Sequence, residues 1–511
     1  MNSPNAELAV TDGAAEIAAP LPRAAVGGAR VGGRAAGGSP SLRWEVVRAR
    51  VRARARAAGR SPDDAALGEH AVAVREAARA LLGSRVLIWT AVAAVVLAFG
   101  YGPVRHAFNP PHTTQGFGWL GDLLAAPAAR WDSSWYLVIA HYGFRPDLGQ
   151  FTASRAAFFP LYPIGIDALS AVGIPAVLGG VLISLAALAL ALYGIHRLTT
   201  LELARARRVV SRAHSRDVAR LAVLLTAFGP MAFFLSAIYS ESLYLALSIG
   251  VFYAARNGRF AIACILGALA GATRSAGLLL LLPVVILYLY GPREDRAPDF
   301  TGFAPRAVPR VRRLAASLAP RYRVRRDVLW LALFPAGLLL FMAYLALRGG
   351  DALAPFHAQQ DWGRQFAGPL AGLWDGVSGA FQSARQLLSF QTHHAYFPVA
   401  VKDSPAIAAS HNLVDFAFLL AAVPALIAML RRLPFAYFAY VLAALVLALS
   451  YPIITEPLMS LPRFLLVLFP LTIASAAWLA EHPRARAPAL VLSAAFMAVS
   501  AAQFATWHWV A

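Results

Sequence analysis

The sequence predicts an all-α protein that crosses a membrane many times, and two observations support this prediction. Hydrophobic residues form 59% of the 511 positions and charged residues only 14%, whereas charged residues form about a quarter of an average soluble domain. Apolar stretches approaching the roughly 20 residues that cross a bilayer also follow one another along most of the chain. Each predicted span is a helix, because a lone segment in lipid satisfies its backbone hydrogen bonds only in that form.

About eleven transmembrane helices are predicted within a single membrane domain, residues 83–511. The stretch from 219 to 291 is divided into several short spans, since the RNGR sequence at 256–259 favours a turn and Arg274 is costly in mid-bilayer. The predicted spans are 86–104, 174–198, 219–238, 241–256, 260–273, 275–291, 328–347, 412–430, 434–453, 463–480 and 488–508.

Residues 1–82 are predicted to form a disordered basic cytoplasmic tail that could end in a short surface helix. They are rich in Ala, Gly, Pro and Arg, they include the run RARVRARARAAGR at 48–60, and they lack apolar periodicity. The net charge of +20 is concentrated in this tail and in short segments between spans. We therefore interpret the charge as a topology signal and expect no nucleic-acid partner.

The arginine-rich connections predict how the chain is oriented in the membrane. The tail and the connections 202–216, 256–259, 292–327 and 431–432 fall on one side, which the positive-inside tendency makes cytoplasmic. The long segments 105–173 and 348–411 then face the extracytoplasmic side and are expected to carry interfacial helices. A multi-pass protein of the inner (plasma) membrane is predicted, with its active site outside.

Charged residues from well-separated parts of the sequence meet at the predicted outer face. Such residues are costly at the hydrocarbon border unless they are paired or lie in a wet cavity, which makes them candidates for a functional site. The alternative is a structural ion-pair cluster that ties helix ends together. These residues are Arg130, Asp132, Glu241, Arg274, Glu456 and Arg463.

Asp132 is the candidate catalytic base. Trp131, Trp135 and Val138 recur at helical spacing, so the helix they share would lie in the interface with Asp132 at the water edge. A lipid-linked sugar phosphate presents its anomeric carbon at this level, and an acceptor hydroxyl attacking that carbon must lose a proton to a base. The alternative role for Asp132 is a helix cap or an ion-paired structural acid.

The remaining polar residues leave alternatives open. Arg274 or Arg463 could bind the departing phosphate, although Glu241 and Arg274 could also neutralise each other. Arg130 could serve the substrate or act as an interface anchor. Asp122 is a second candidate base.

No cofactor or metal is expected. The chain lacks a nucleotide-binding glycine motif, which favours a lipid-linked donor over a nucleotide sugar. His393 and His394 are adjacent and poorly placed to share a metal ion, and Cys264 is a lone apolar cysteine. Asp361, Trp362 and Arg364 could touch the acceptor, unless their segment is simply an amphipathic surface helix.

Several sequence blocks, taken in order, resemble the PIG-V-type mannosyltransferase family. The blocks are RWDSSWYLVIAHYGF at 130–144, FFPLYP at 158–163, FFLSAIYSESLYLAL at 233–247, ATRSAGLLLLLP at 272–283 and LPRFLLVLFPL at 461–471. The resemblance implies a helical glycosyltransferase of the GT-C class that uses a polyprenyl-phosphate sugar donor. It also implies an essential aspartate at Asp132 and functional positions at Tyr239, Glu241, Arg274 and Arg463.

The predicted activity is therefore transfer of mannose, with inversion at the anomeric carbon, from polyprenyl-phosphate mannose to an extracytoplasmic lipid, glycan or protein. One alternative is a GT-C transferase of another sugar on the same type of donor. A second is a transporter or flippase of a lipid-linked precursor. Transporters tend to carry internal repeats and midplane charges, whereas here no repeat is evident and the acids gather at one face, which favours an enzyme.

Overall fold

Helices build the part of the chain that the structure describes, and most of them are apolar. The computed structural model describes residues 62–102, 116–144, 152–205, 212–300, 319–390 and 405–510, all within one unit, Val51–Ala511. The α-helices are α1 (Pro62–Phe99), α2 (Gly118–Ala125), α3 (Ser133–Tyr142), α4 (Thr152–Arg155), α5 (Leu161–Ala171), α6 (Ala176–Arg205), α7 (Arg212–Ala227), α8 (Glu241–Arg256), α9 (Phe260–Gly271), α10 (Leu281–Tyr290), α11 (Ala336–Gly349), α12 (Ala354–His357), α13 (Pro369–Leu388), α14 (Pro405–Arg432), α15 (Phe435–Leu449), α16 (Leu461–Leu466), α17 (Phe469–Glu481) and α18 (Pro483–Ala505). Short 3₁₀ helices occupy Ala232–Leu235, Ser275–Leu280, Arg326–Leu333 and Ala358–Trp362.

Among the described residues, five helical segments are long and apolar enough to cross a membrane, as expected of a multi-pass membrane protein. They are Leu67–Phe99, Ala176–Leu203, Arg326–Gly349, Pro405–Arg432 and Pro483–Ala505. Each of the other predicted spans also overlaps a helix, but these helices are shorter. At about 1.5 Å per residue, the 13 residues of α17 extend only about 20 Å. The number eleven therefore stays a prediction.

The predicted span 219–238 is interrupted in the structure. Helix α7 ends at Ala227, and the chain turns before the next 3₁₀ helix begins. The guanidinium of Arg85 in α1 binds the groups freed by this break, because it donates to the carbonyl oxygens of Ala227 and Ala232 at 3.1 and 3.0 Å. It also donates to Oγ of Ser236 at 2.7 Å. A buried arginine thus satisfies backbone that a continuous helix would have satisfied itself.

Helix α1 already begins at Pro62, within the predicted tail of residues 1–82, at whose end a short surface helix is expected. Ala73, Ala77 and Ala80 form a buried stripe at helical spacing, although the charged residues between them hide this stripe from a hydropathy reading. Glu69 of the same helix lies 3.4 Å from Arg197 of α6. Residues 1–61, including the basic run, lie outside the described residues, so their predicted disorder stays a prediction.

The two long predicted outer segments place helices against the bundle. In the first, α3 packs on α5, and α5 packs on α6. In the second, α13 packs on α14 and α15 through small residues, and Gly372 lies against the backbone of Leu449. Helix α8 lies at the centre of the bundle, because it packs on both α6 and α9. Its first residue is Glu241, which brings that acid close to the first outer segment.

Candidate active site

Asp132 directly precedes α3, and its carboxylate turns into a cavity instead of capping that helix. Its side chain makes no capping hydrogen bond, so the helix-cap alternative is wrong. Trp131 before it has a φ of 55°, a left-handed conformation that costs a non-glycine residue about 1–3 kcal/mol. The rings of Trp507 and Trp509 contact Trp131 edge-on, at centroid distances of 5.8 and 5.2 Å. These contacts hold the strained turn that directs Asp132.

Two carboxylates and two guanidiniums form a continuous chain of ion pairs. Arg463 donates from Nη1 to Oδ2 of Asp132 at 2.8 Å, and its Nε lies 3.4 Å from Oε1 of Glu241. Arg274 donates from Nη1 to the same Oε1 atom at 2.6 Å. The side chain of Glu241 is only 2% exposed, whereas that of Asp132 is 15% exposed. Glu241 therefore anchors both arginines, and Asp132 stays accessible from the cavity.

Two tyrosines position this chain of ion pairs. The hydroxyl of Tyr239 accepts the backbone N–H of Asp132 at 3.0 Å and donates to the carbonyl oxygen of Arg130 at 3.3 Å. The hydroxyl of Tyr136 lies 2.9 Å from Oγ of Ser240. Burial, and then the negative charge of Glu241, raises the pKa of Tyr136 to about 12. Both hydroxyls are thus hydrogen-bonding groups at neutral pH.

A cavity of about 480 Å³ joins the charged residues to an apolar wall. Its charged lining consists of two acids and three arginines, and hydrophobic side chains form much of the rest. Such a lining can hold a ligand with an anionic head and an apolar tail. The charged residues are Asp132, Glu241, Arg274, Arg364 and Arg463; the apolar residues include Leu278, Leu279, Leu338, Leu445, Leu447, Leu465 and Leu468.

Arg364 also lines the cavity, although the sequence predicts for it only a contact with the acceptor. Its guanidinium lies 5.7 Å from the ring centre of Phe464. Arg274 and Arg463 lie 5.6 and 5.9 Å from the same ring. Burial, and then the nearby charge of Arg463, lowers the pKa of Arg364 to about 10. No local signal distinguishes it, because the stretch HAQQDWGRQ at 357–365 is mostly polar.

Arg130 and Tyr239 do not line the cavity, in contrast to their predicted contact with substrate. Arg130 is 1% exposed; its Nε donates to the carbonyl oxygen of Ala505 at 3.0 Å, and its Nη1 donates to that of Ala129 at 2.8 Å. Its guanidinium also lies 5.3 Å from the ring centre of Trp507. Burial lowers the pKa of Arg130 to about 10. Arg130 thus binds backbone carbonyl groups, and the Tyr239 hydroxyl contacts the backbone of Asp132, so their predicted contact with substrate stays a prediction.

Three acids that the sequence offered as functional candidates have partners elsewhere. Oδ1 of Asp122 accepts the backbone N–H groups of Gly116 and Phe117 at 2.9 and 3.0 Å, so Asp122 closes a turn. Asp361 accepts Oγ–H of a serine at 2.8 Å. Glu456 lies 3.5 Å from His411. None of these three acids lines the described cavity.

The sequence predicts no metal ion, and the described residues offer no group of ligands for one. Among the described residues, no group of three or more His, Cys, Asp and Glu side chains is arranged to hold a metal ion. His393 and His394 lie outside the described residues. Carboxylates, guanidiniums and hydroxyls are among the polar groups that line the described cavity.

A protein-family model matches a region of the chain that contains several of the cavity residues. The sequence model of the family described as Mannosyltransferase (PIG-V) matches residues 105–288. Residues 105–288 carry the PIG-V mannosyltransferase pattern. This PIG-V match indicates a glycosyltransferase, and together with the apolar helices it supports a membrane mannosyltransferase. No match was found among curated proteins.

The PIG-V region supplies only part of the cavity. Asp132, Glu241 and Arg274 lie within the matched residues, and these side chains line the cavity. Arg364 and Arg463 lie beyond residue 288, outside the PIG-V match. The folded chain thus places two arginines from outside the matched region in the cavity that Asp132 and Glu241 line.

Proposed function

We propose that this membrane mannosyltransferase transfers mannose from a polyprenyl-phosphate mannose to an extracytoplasmic hydroxyl, with Asp132 as the general base. The observation that carries the proposal is the arrangement of Asp132, Glu241, Arg274 and Arg463 around one cavity with an apolar wall. A donor with an anionic sugar-phosphate head and an apolar polyprenyl tail requires both the charged residues and the apolar wall. The membrane we propose is the inner (plasma) membrane, with the cavity on its outer side.

The proposed step conserves atoms and charge. The acceptor oxygen forms a bond to the anomeric carbon of mannose while the bond from that carbon to the phosphate oxygen breaks. The electron pair of the broken bond leaves with the polyprenyl phosphate, and the acceptor proton moves to Asp132. Attack opposite to the leaving group inverts the anomeric carbon. The arginines stabilise the charge that develops on the departing phosphate.

Arg463 and Glu241 support Asp132 in this scheme. Because Arg463 binds Oδ2 of Asp132, it fixes the orientation of the carboxylate. Glu241 restrains Arg463 and Arg274 from the opposite side. The base can then accept a proton without a large rearrangement, which lowers the cost of reaching the transition state.

Two alternatives stay open and have distinct outcomes. A different sugar on the same donor scaffold would use the same charged residues, since they face the phosphate and the acceptor. A lipid-linked precursor transporter would move the lipid without breaking the sugar–phosphate bond. The PIG-V match favours transfer over transport.

The test is a transfer assay with the full-length protein purified in detergent and reconstituted in vesicles. Labelled decaprenyl-phosphate mannose is the donor, decaprenyl-phosphate glucose the competing donor, and membrane glycolipids the acceptors. We expect mannose transfer by the wild type and its loss in Asp132→Asn, which is isosteric and should stay folded. Asp167→Asn, an exposed acid on α5, is the matched control and should retain full activity.

Three results would contradict the proposal in different ways. Full turnover by Asp132→Asn would remove the base assignment. Transfer of glucose in place of mannose would change the sugar. Movement of labelled lipid across the vesicle membrane with no transfer at all would favour the transporter.

A further inference from the structure

We infer that Arg364 binds the phosphate of the lipid donor, as the one cavity arginine in the described residues whose charge no carboxylate neutralises. This inference rests on the proposed function for the identity of the donor. It goes beyond the sequence analysis, which gave the phosphate to Arg274 or Arg463.

The partners of the three cavity arginines differ in kind. Arg463 binds Asp132 at 2.8 Å, and Arg274 binds Glu241 at 2.6 Å. Arg364 instead donates to the carbonyl oxygens of Tyr451 and Met459, over long distances of 3.5 and 3.2 Å. Within the described residues, no carboxylate lies in ion-pair distance of Arg364. An anion entering the cavity would therefore meet Arg364 without displacing an acid.

The charge of the cavity matches the charge of the proposed donor. Three arginines and two acids line it, which leaves one positive charge, and a sugar phosphodiester carries one negative charge. After transfer, Asp132 is neutral, while the polyprenyl phosphate approaches a second negative charge. Cavity and ligand together stay close to neutral throughout the reaction. The chemistry therefore avoids accumulating net charge in a low-dielectric site.

The segment that carries Arg364 is fixed to the catalytic side of the cavity. The ring of Trp362 contacts the rings of Trp135 and Phe158, at centroid distances of 5.8 and 6.0 Å. The backbone N–H of Ala367 donates to the carbonyl oxygen of Ser450 at 3.0 Å. Arg364 is thus held on a braced loop close to α3, which Asp132 precedes. A braced guanidinium binds a phosphate with little loss of side-chain entropy.

The competing explanation is that Arg364 only tethers the segment around Tyr451 and Met459 through its carbonyl contacts. If Arg364 were only a tether, its substitution would weaken the binding of charged and uncharged lipids equally. A phosphate-binding residue would affect only anionic ligands, and its effect would weaken with salt. The experiment therefore compares two lipids that differ in the phosphate alone.

Decaprenyl phosphate and decaprenol are the probes, and their binding to the full-length protein in detergent is measured at several salt concentrations. The Arg364→Gln variant should bind decaprenyl phosphate about 10- to 100-fold more weakly, the range for a lost charge-assisted hydrogen bond. Its binding of decaprenol should be unchanged. Arg364→Lys should be intermediate, because lysine keeps the charge but not the planar fork. Arg348→Gln, an exposed arginine at the end of α11, should bind both lipids as the wild type does.

Equal binding of decaprenyl phosphate by Arg364→Gln and the wild type would overturn the inference. If the glutamine variant does not fold, Arg364→Lys decides: a loss of affinity for decaprenol as large as its loss for decaprenyl phosphate would also overturn the inference. The transfer assay separates the two proposals. Loss of phosphate selectivity in Arg364→Gln, with a wild type that transfers no mannose, would leave the phosphate site standing and refute the function. Mannose transfer by the wild type with unchanged phosphate binding in Arg364→Gln would refute this inference alone.

Discussion

Arg463 donates to Asp132 across 331 positions of sequence, at 2.8 Å, and this pair joins the start of α3 to α16. Both side chains are mostly buried, with exposed fractions of 12% for Arg463 and 15% for Asp132. Glu241 contacts the same guanidinium through its Oε1 atom. Removing the arginine would therefore leave two acids facing each other at the edge of an apolar cavity, which affects both stability and catalysis.

Arg463→Gln should lower the free energy of unfolding by about 3 kcal/mol, the lower end for breaking a buried ion pair, because the pair retains some solvent contact. Adding Asp132→Asn should recover about 1–3 kcal/mol of this loss, since the unpaired acid is then neutral. Mannose transfer should stay absent in the double variant. Chemical unfolding in detergent and the transfer assay measure the two effects. Strictly additive destabilisation would show that the pair is not energetically coupled.

Tyr239→Phe should lower kcat about 10- to 100-fold, as expected when a catalytic group loses its alignment, and should leave the KM for the donor unchanged. The reason is that the Tyr239 hydroxyl accepts the backbone N–H of Asp132 and does not line the cavity. Steady-state kinetics with decaprenyl-phosphate mannose provide the measurement. Tyr142→Phe, at a 45% exposed tyrosine on α3, is the control. A raised donor KM with normal kcat would instead indicate that Tyr239 touches the donor.

Arg130→Gln and Arg274→Gln should separate a structural arginine from a functional one. Arg130 binds the carbonyl oxygens of Ala129 and Ala505, so its loss should destabilise the fold by about 1–3 kcal/mol through unsatisfied buried groups. The folded fraction should keep a normal donor KM. Arg274→Gln should raise the donor KM, because Arg274 lines the cavity. Thermal melting and initial-rate kinetics on both variants test this contrast, and matching kinetic profiles would contradict it.

The sequence predicts some elements of this site well, because the energetic cost of a charged residue in an apolar run can be recognised locally. Helix α8 covers 241–256 as predicted, since Glu241 and Arg256 at its ends are both expensive in hydrocarbon. The same reasoning predicts Asp132, Arg274 and Arg463 as candidate site residues. Each lies at or near the border of an apolar run, where a charge requires a partner.

Other features could not be predicted because distant parts of the chain decide them. Arg130 turns away from the cavity toward a carbonyl oxygen 375 positions later, which no local pattern records. Arg364 reaches the cavity through a loop with left-handed Gly363 and Gly368, at φ values of 68° and 84°. The break after Ala227 depends on Arg85 from another helix. In each case the geometry depends on parts of the chain that a local sequence pattern does not include.

The buried ion pair of Arg256 and Glu202 offers a last prediction, since it is chemically similar to the cavity pairs but lies at the opposite end of α8 from Glu241. Glu202 binds Nε and Nη2 of Arg256, and it also accepts the hydroxyl of Tyr437 at 2.6 Å. Arg256 and Glu202 are 0% and 5% exposed, and neither lines the cavity.

Glu202→Gln should therefore lower the free energy of unfolding by about 3–5 kcal/mol, because a fully buried guanidinium loses its counter-charge. Below the melting transition, kcat and the donor KM of the folded protein should equal those of the wild type. Thermal melting followed by transfer kinetics at a low temperature provides the measurement. The exposed acid Asp167, changed to Asn, again serves as the control for loss of one negative charge. A changed donor KM in Glu202→Gln would mean that the two ends of α8 are coupled, so that ion pairing outside the cavity also shapes the donor site.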